Sequence, residues 1–217
     1  MHVPLVCLVS DRNRCAGRPL EEVVSAAVAG GVGMVQLRER DLPSGELFIL
    51  AERLRDVTSR GKALLFVNDR VDIAMAVGAD GVQLPENGLS LSSVMRVSGL
   101  ELLLGRSVHS VEGAIEAERH GADLLVAGTV YPTASHETGK TQGTALLRKI
   151  RDSVHIPYLA IGGVTVDNIG DTIAAGASGA AVISAISEAG DPERAAREMV
   201  EKTRFVWELA SEGGVQT

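Results

Sequence analysis

Eight strand-like segments alternate with eight helix-like segments along 217 residues, and that alternation predicts a single-domain α/β fold, the (β/α)8 TIM barrel. The punctuation between them recurs as "GADGVQL" (78–84), "GADLLVAG" (121–128) and "GASGAAVIS" (176–184). Each places a glycine suited to ending a helix just before an apolar strand. No linker or low-complexity stretch divides the chain, so one domain is expected over 1–210, with 211–217 as a flexible tail. An open doubly wound sheet is the alternative way to arrange the same alternation.

The elements follow in order. "VPLVCLVS" (3–10) is a β-like run, and "PLEEVVSAAVAGG" (19–31) is an amphipathic helix closing on glycine. "MVQLRE" (34–39) precedes a helix within 45–60. "ALLFVND" (63–69) precedes the helical "VDIAMAVGA" (71–79), and "GVQLP" (81–85) precedes a helix near 90–98. "LLLGRSVHS" (102–110) leads into "VEGAIEAERHGA" (111–122). "LLVAGTVY" (124–131) is separated by a polar loop from a helix at 144–154. "PYLAIGG" (157–163) precedes "DNIGDTIAAGA" (167–177), and "GAAVISAI" (179–186) precedes a last helix from about 192 to 210. Asp191 followed by Pro192 and Glu193 is a start signal for that helix.

Composition narrows the function. Hydrophobic residues make up 45%, enough for a large core. Twenty-one basic against 28 acidic residues leave a net charge of −7, which argues against a nucleic-acid surface. The two cysteines, Cys7 and Cys15, lack metal-ligand spacing, and Cys7 sits in an apolar run as a core residue. The start "MHVPLVCLVSDRNR" has no basic leader or small-residue cleavage site, and no run reaches membrane-span length. A cytoplasmic protein that binds neither nucleic acid nor membrane is expected.

In such a barrel the site lies at the C-terminal ends of the strands, where inward and outward side chains alternate. Gln36, Arg38 and Arg40 share one parity of the second strand, with Val35, Leu37 and Glu39 on the other. The third strand ends in Asn68, the fourth offers Gln83, and the fifth offers Ser107 and His109 on the parity opposite Leu102, Leu104 and Val108. Burying this many polar groups without partners would be unfavourable by several kcal/mol, so their convergence predicts a ligand pocket. "AIGG" (160–163) and "VIS" (182–184) close the seventh and eighth strands, making Gly162, Gly163, Ile183 and Ser184 candidates for phosphate binding through backbone atoms. Arg38 and Arg40 suit an anionic substrate; the alternative is pairing with Glu39 or Asp41. Asn68 with Asp69 either holds a ligand or a cation or caps the helix beginning near Val71. His136 and Lys140, in loop 132–143, either cover the pocket or belong to a solvated loop. His109 is the residue suited to moving a proton near neutral pH. No metal site is assigned.

These residues resemble the thiamin phosphate synthase/TenI superfamily in "VQLRERD" (35–41), "FVNDRVDIAMAVGADGVQLP" (66–85), "GRSVHSVEGAIEAERHGADLLVAGTVYPT" (105–133) and "IPYLAIGGVTVDNI" (156–169). The resemblance covers nearly the whole chain. It implies a barrel acting in thiamin biosynthesis on a phosphorylated thiazole, and relatives suggest a homodimer. Its synthase branch joins a pyrimidine diphosphate to thiazole phosphate with Mg²⁺. That branch carries one metal carboxylate matched by Asp69 and a second at the position of Gly88, with Glu86 two residues off register. It also carries a lysine where this chain has His136. Those departures point to the TenI branch: a cofactor-free thiazole tautomerase whose acid/base is His109. Its substrate would be a carboxylated dihydrothiazole phosphate, with Ser107 and Gln36 orienting the ring and Arg38 or Arg40 on the carboxylate. The alternatives are the Mg²⁺-dependent synthase, a ligand-sensing regulator without catalysis, and another phosphosugar isomerase on the same barrel.

Overall fold

The computed structural model describes residues 2–99, 101–133 and 141–212. Eight parallel strands close into one barrel in sequential order: β1 (Leu5–Val9), β2 (Met34–Leu37), β3 (Leu64–Asn68), β4 (Gly81–Leu84), β5 (Leu103–Val108), β6 (Leu124–Gly128), β7 (Tyr158–Ile161) and β8 (Gly179–Val182). Closure is made by β8 on β1, in the register Leu5↔Gly179 through Leu8↔Val182. The open-sheet alternative is therefore excluded. Around the barrel run α1 (Leu20–Ala29), α2 (Ser44–Gly61), α3 (Val71–Ala76), α4 (Leu91–Ser98), α5 (Val111–Arg119), α6 (Gly143–Arg151) and α7 (Ile169–Ala174). A short α8 (Ser184–Ser187) and the long α9 (Pro192–Glu212) complete the ring.

The strands form because they are buried on both faces, as parallel strands under helices must be. One parity (Val35, Leu37, Leu65, Val67, Val82, Leu84, Leu104, Val108, Leu125) packs outward in the cluster that includes the helix residues Val24, Ala27 and Leu54. The other parity fills the barrel with Leu5, Cys7, Val9, Met34, Phe66, Leu124, Val126, Leu159 and Ala181. Burial pushes the Cys7 thiol up to about 12, consistent with an inert core residue. Phe66 occupies the space that a side chain at position 81 would need, since a Cβ on Gly81 would stand 2.5 Å from the ring. The inward column changes character along the strands: Met34 is followed by Gln36, Phe66 by Asn68, and Gly105 by Ser107. Apolar packing thus fills the bottom of the barrel and leaves its C-terminal end polar.

Several boundaries differ from expectation, among them β6, which was expected over 124–131 and ends at Gly128. The run "GAAVISAI" was predicted to stay extended to 186, yet β8 ends at Val182 and α8 begins at Ser184. An apolar run this short does not distinguish a buried strand from a buried helical turn by periodicity. A 3₁₀ turn at Arg12–Arg14, capped by Asp11, follows β1 and has no hydrophobic period to announce it. The final helix continues through Glu212, and the remainder of the expected tail lies outside the described residues. Among the described residues no helix is long and apolar enough to cross a membrane.

Candidate active site

A cavity of about 330 Å³ opens at the C-terminal end of the barrel. Gln36, Arg38, Arg40, Asn68, Ser107, His109, Gly162, Gly163, Ile183 and Ser184 all line it. The imidazole at 109 and the diglycine at 162–163 therefore face the same space. Gln83 does not line it. Its side chain is fully buried beneath the floor, where Nε2 donates to Ser107 Oγ at 3.1 Å. Gly105 makes that possible, because a Cβ there would lie 2.1 Å from Gln83 Oε1. Beside this pair, Gln36 Nε2 donates to Asn68 Oδ1 at 3.1 Å. The floor thus holds one amide–amide pair and, beside it, the Ser107 hydroxyl that Gln83 supports from below.

Asn68 does not cap α3: that helix has no side-chain cap, and the Asn68 amide is committed to Gln36. The alternative pairing for the arginines is likewise absent. Glu39 and Asp41 are engaged by Arg12, whose Nη1 lies 3.1 Å from Glu39 Oε2 and 2.6 Å from Asp41 Oδ1. Glu39 also accepts from Ser10 Oγ at 2.7 Å, and Ser10 in turn accepts from the Arg38 backbone at 2.8 Å. Among the described residues no carboxylate pairs with Arg38 or Arg40. Burial, then the neighbouring Arg40, lowers the pKa of Arg38, and the more weakly acting charges of Asp11 and Glu39 oppose that shift without pairing with it.

Elsewhere on the lining, at the end of β7, Gly162 and Gly163 adopt φ of +97° and +63°. Side chains there would collide with Thr129 Cγ2 at 2.4 Å and with Pro132 O at 2.5 Å. The two glycines let the backbone line the cavity where the segment 129–132 presses against it.

His109 stands at the mouth and is held from several sides. Glu86 Oε2 lies 2.9 Å from His109 Nδ1, and Glu86 Oε1 accepts from the His109 backbone at 3.2 Å. Gln142 Nε2 donates to the His109 carbonyl. The loop carrying Glu86 is itself fixed by Arg106, which donates to the carbonyls of Pro85 and, at 2.8 Å, Leu89. Sequence reasoning missed Glu86 as a partner of His109, and Arg106, Ser10 and Arg12 altogether. Arg106 did leave a signal: a charged residue on the outward parity of a leucine-rich strand must find partners when buried. A carboxylate only accepts, so in the neutral imidazole Nδ1 carries the proton and Nε2 is an acceptor. The Nδ1–H tautomer is therefore expected to dominate the ¹⁵N spectrum of His109, and Glu86→Gln to shift it toward Nε2–H. A wild-type spectrum already dominated by Nε2–H would refute this orientation.

Asp69, with φ of +63°, follows β3 and stands next to Gly88, whose Cβ position is 3.3 Å from Asp69 Oδ1. Among the described residues no group of three or more His, Cys, Asp or Glu is placed to hold a metal ion. His136 and Lys140 lie outside the described residues.

The sequence profile described as thiamine monophosphate synthase matches residues 6–186, most of this barrel. The chain belongs to that family. A putative thiamine-phosphate synthase of Geobacter sulfurreducens is 45% identical over 194 residues, covering 89% of this chain and 91% of that protein. The thiamine-phosphate synthase of Natronomonas pharaonis is 42% identical over 204 residues, covering 93% and 95%. Among solved structures, the thiamine phosphate pyrophosphorylase from Pyrococcus furiosus superposes with a TM-score of 0.86 at 39% identity, covering 93% of this chain and 96% of that one.

These relatives of the thiamine monophosphate synthase family overturn the tautomerase expectation and the isomerase class with it. The error has a physical source: Gly88 was weighed as though the protein had to supply every metal ligand. Mg²⁺ commonly keeps several waters and takes donors from substrate phosphates, needing only one or two protein carboxylates. A missing second carboxylate is therefore weak grounds for excluding diphosphate chemistry.

Proposed function

We propose that this chain is a thiamine-phosphate synthase, a transferase joining a pyrimidine methyl diphosphate to a thiazole phosphate with release of pyrophosphate. The observation that carries the reading is the pair of unlike walls in one cavity. Arg38 and Arg40, after β2, give a cationic stretch of the lining that is ion-paired to no carboxylate among the described residues, and Gly162, Gly163, Ile183 and Ser184, after β7 and β8, give a separate backbone-lined stretch. Two anionic substrates need two such stretches. The names of the relatives support the same assignment.

The chemistry replaces one bond at an exocyclic methylene. The C–O bond to diphosphate breaks, its electron pair leaves with the diphosphate, and the thiazole nitrogen lone pair forms the new C–N bond. Arg38 and Arg40 would hold the diphosphate and stabilise the charge that grows on its bridging oxygen. The amides of Gln36 and Asn68, with the Ser107 hydroxyl, would orient the pyrimidine. The backbone at 162–163 and 183–184 would hold the thiazole phosphate so that the ring nitrogen faces the methylene. No C–H bond is broken, so His109 has no proton to move from carbon, and its Nε2 becomes a binding group at the cavity mouth.

The residues present fit Mg²⁺ that arrives on the diphosphate, not a cation caged by the protein, since Asp69 is the one family metal carboxylate retained and faces a hydrogen at Gly88. Held by Asp69, such an ion would supply charge neutralisation on the leaving group. Incubation with pyrimidine diphosphate, thiazole phosphate and Mg²⁺ is expected to give thiamin phosphate and equimolar pyrophosphate; no product under these conditions would end this reading.

A further inference from the structure

The stretch that follows β2 runs Arg38–Glu39–Arg40–Asp41, two cations alternating with two anions. Left to themselves, these four would neutralise one another and present little net charge to an anion. We propose that the turn Arg12–Arg14 is a counter-ion clamp that takes up the surrounding carboxylates, so that Arg38 and Arg40 remain available to a diphosphate.

The geometry is specific. Arg12 forks onto Asp41 with both terminal nitrogens, Nη1 to Oδ1 and Nη2 to Oδ2, each at 2.6 Å. Its Nη1 also reaches Glu39 Oε2 at 3.1 Å, and its backbone N–H donates to Glu39 Oε1 at 3.1 Å. With Ser10 on the same oxygen, Glu39 is turned into the protein and buried, away from the cavity that its neighbours line. Two residues on, Arg14 Nε binds Glu188 Oε1 at 2.8 Å, and Glu188 is itself a cavity-lining carboxylate. Three acidic groups that would offset Arg38 and Arg40 are thus held by two arginines that do not line the cavity. A planar guanidinium suits this task because it satisfies two carboxylates in fixed directions, where an ammonium acts as a point charge. The hydrogen bond to Arg12 holds the Asp41 carboxyl below its usual range, so the clamp stays ionised. Arg12 and Arg14 are positioning residues, acting on the anion through Arg38 and Arg40. The inference rests on the proposed role of those two arginines in diphosphate binding.

Titration calorimetry with inorganic pyrophosphate at fixed ionic strength tests it. Arg12→Met is expected to weaken pyrophosphate binding tenfold or more with the fold retained by circular dichroism. The triple variant R12M/E39Q/D41N, which removes the released carboxylates as well, is expected to bind within threefold of wild type. Unchanged affinity in R12M overturns the clamp. A triple variant as weak as R12M also overturns it, because Arg12 would then act by shape and not by sequestering charge. Where R12M fails to fold, Arg12→Gln keeps a donor for Glu39 without the charge and is expected to show the same tenfold loss; wild-type affinity there overturns the clamp equally. Wild-type protein that binds no pyrophosphate would instead remove the reading of Arg38 and Arg40 on which the clamp stands.

Discussion

Replacing Arg38 by Met is expected to lower kcat/KM for coupling by about 10²–10³-fold, the loss typical of removing one group that stabilises developing negative charge. The same change is expected to leave the melting temperature unchanged or slightly higher. Arg38 is half-buried and, among the described residues, ion-pairs with no carboxylate, so its removal relieves a desolvation cost that the nearby Asp11 and Glu39 only partly offset. A functional loss without a stability loss separates a substrate-binding arginine from a structural one. Arg40, more exposed, is expected to give a smaller decrease when replaced by Met. If R38M lost activity and stability in proportion, Arg38 would be part of the scaffold and the cationic wall would have to be redrawn.

The second large effect concerns the scaffold. Gly179→Ala is expected to destabilise the protein by about 3 kcal/mol or more, lowering the melting temperature by about 10 °C. Gly179 opens β8 at φ +150°, paired with Leu5 across the barrel seam. A Cβ there would lie 1.8 Å from the Leu5 carbonyl oxygen, and its three nearest atoms are all Leu5 backbone, with no flexible side chain to yield. The seam sets the height of Ile183 and Ser184 over the cavity, so thiazole phosphate binding is expected to weaken together with stability. Gly45→Ala is the control: no atom lies within 4 Å of its Cβ position, and the site is in the first turn of α2. Thermal unfolding followed by circular dichroism compares the two. Equal melting temperatures would mean that the β8–β1 seam tolerates displacement.

The barrel was legible because parallel strands buried on both faces leave continuous apolar runs, and glycine ends the helices between them. The floor of the site was legible for a related reason. Gln36, Asn68 and Ser107 interrupt the inward column of Met34, Phe66 and Gly105 at its last position, and only a ligand-facing end explains that. Other parts were written at distances that no local period spans. Glu39 and Arg12 are 27 residues apart, Arg14 and Glu188 are 174 apart, and Glu86 and His109 are 23 apart, each pair joined through loops. His109 shows the limit most clearly. Its inward parity was readable, but the parity says nothing of whether the ring moves a proton or takes a hydrogen bond. Gly88 misled for a different reason: the absence of one carboxylate says little about an ion whose remaining ligands come from substrate and water.

The account rests on two anionic substrates occupying separate parts of one cavity at the same time. Calorimetric titration of inorganic pyrophosphate into protein already saturated with thiazole phosphate, in the presence of Mg²⁺, measures that directly. The account predicts that pyrophosphate still binds with one-to-one stoichiometry and an affinity within a few-fold of that in the free protein. Mutual exclusion, with pyrophosphate binding abolished by saturating thiazole phosphate, would contradict it.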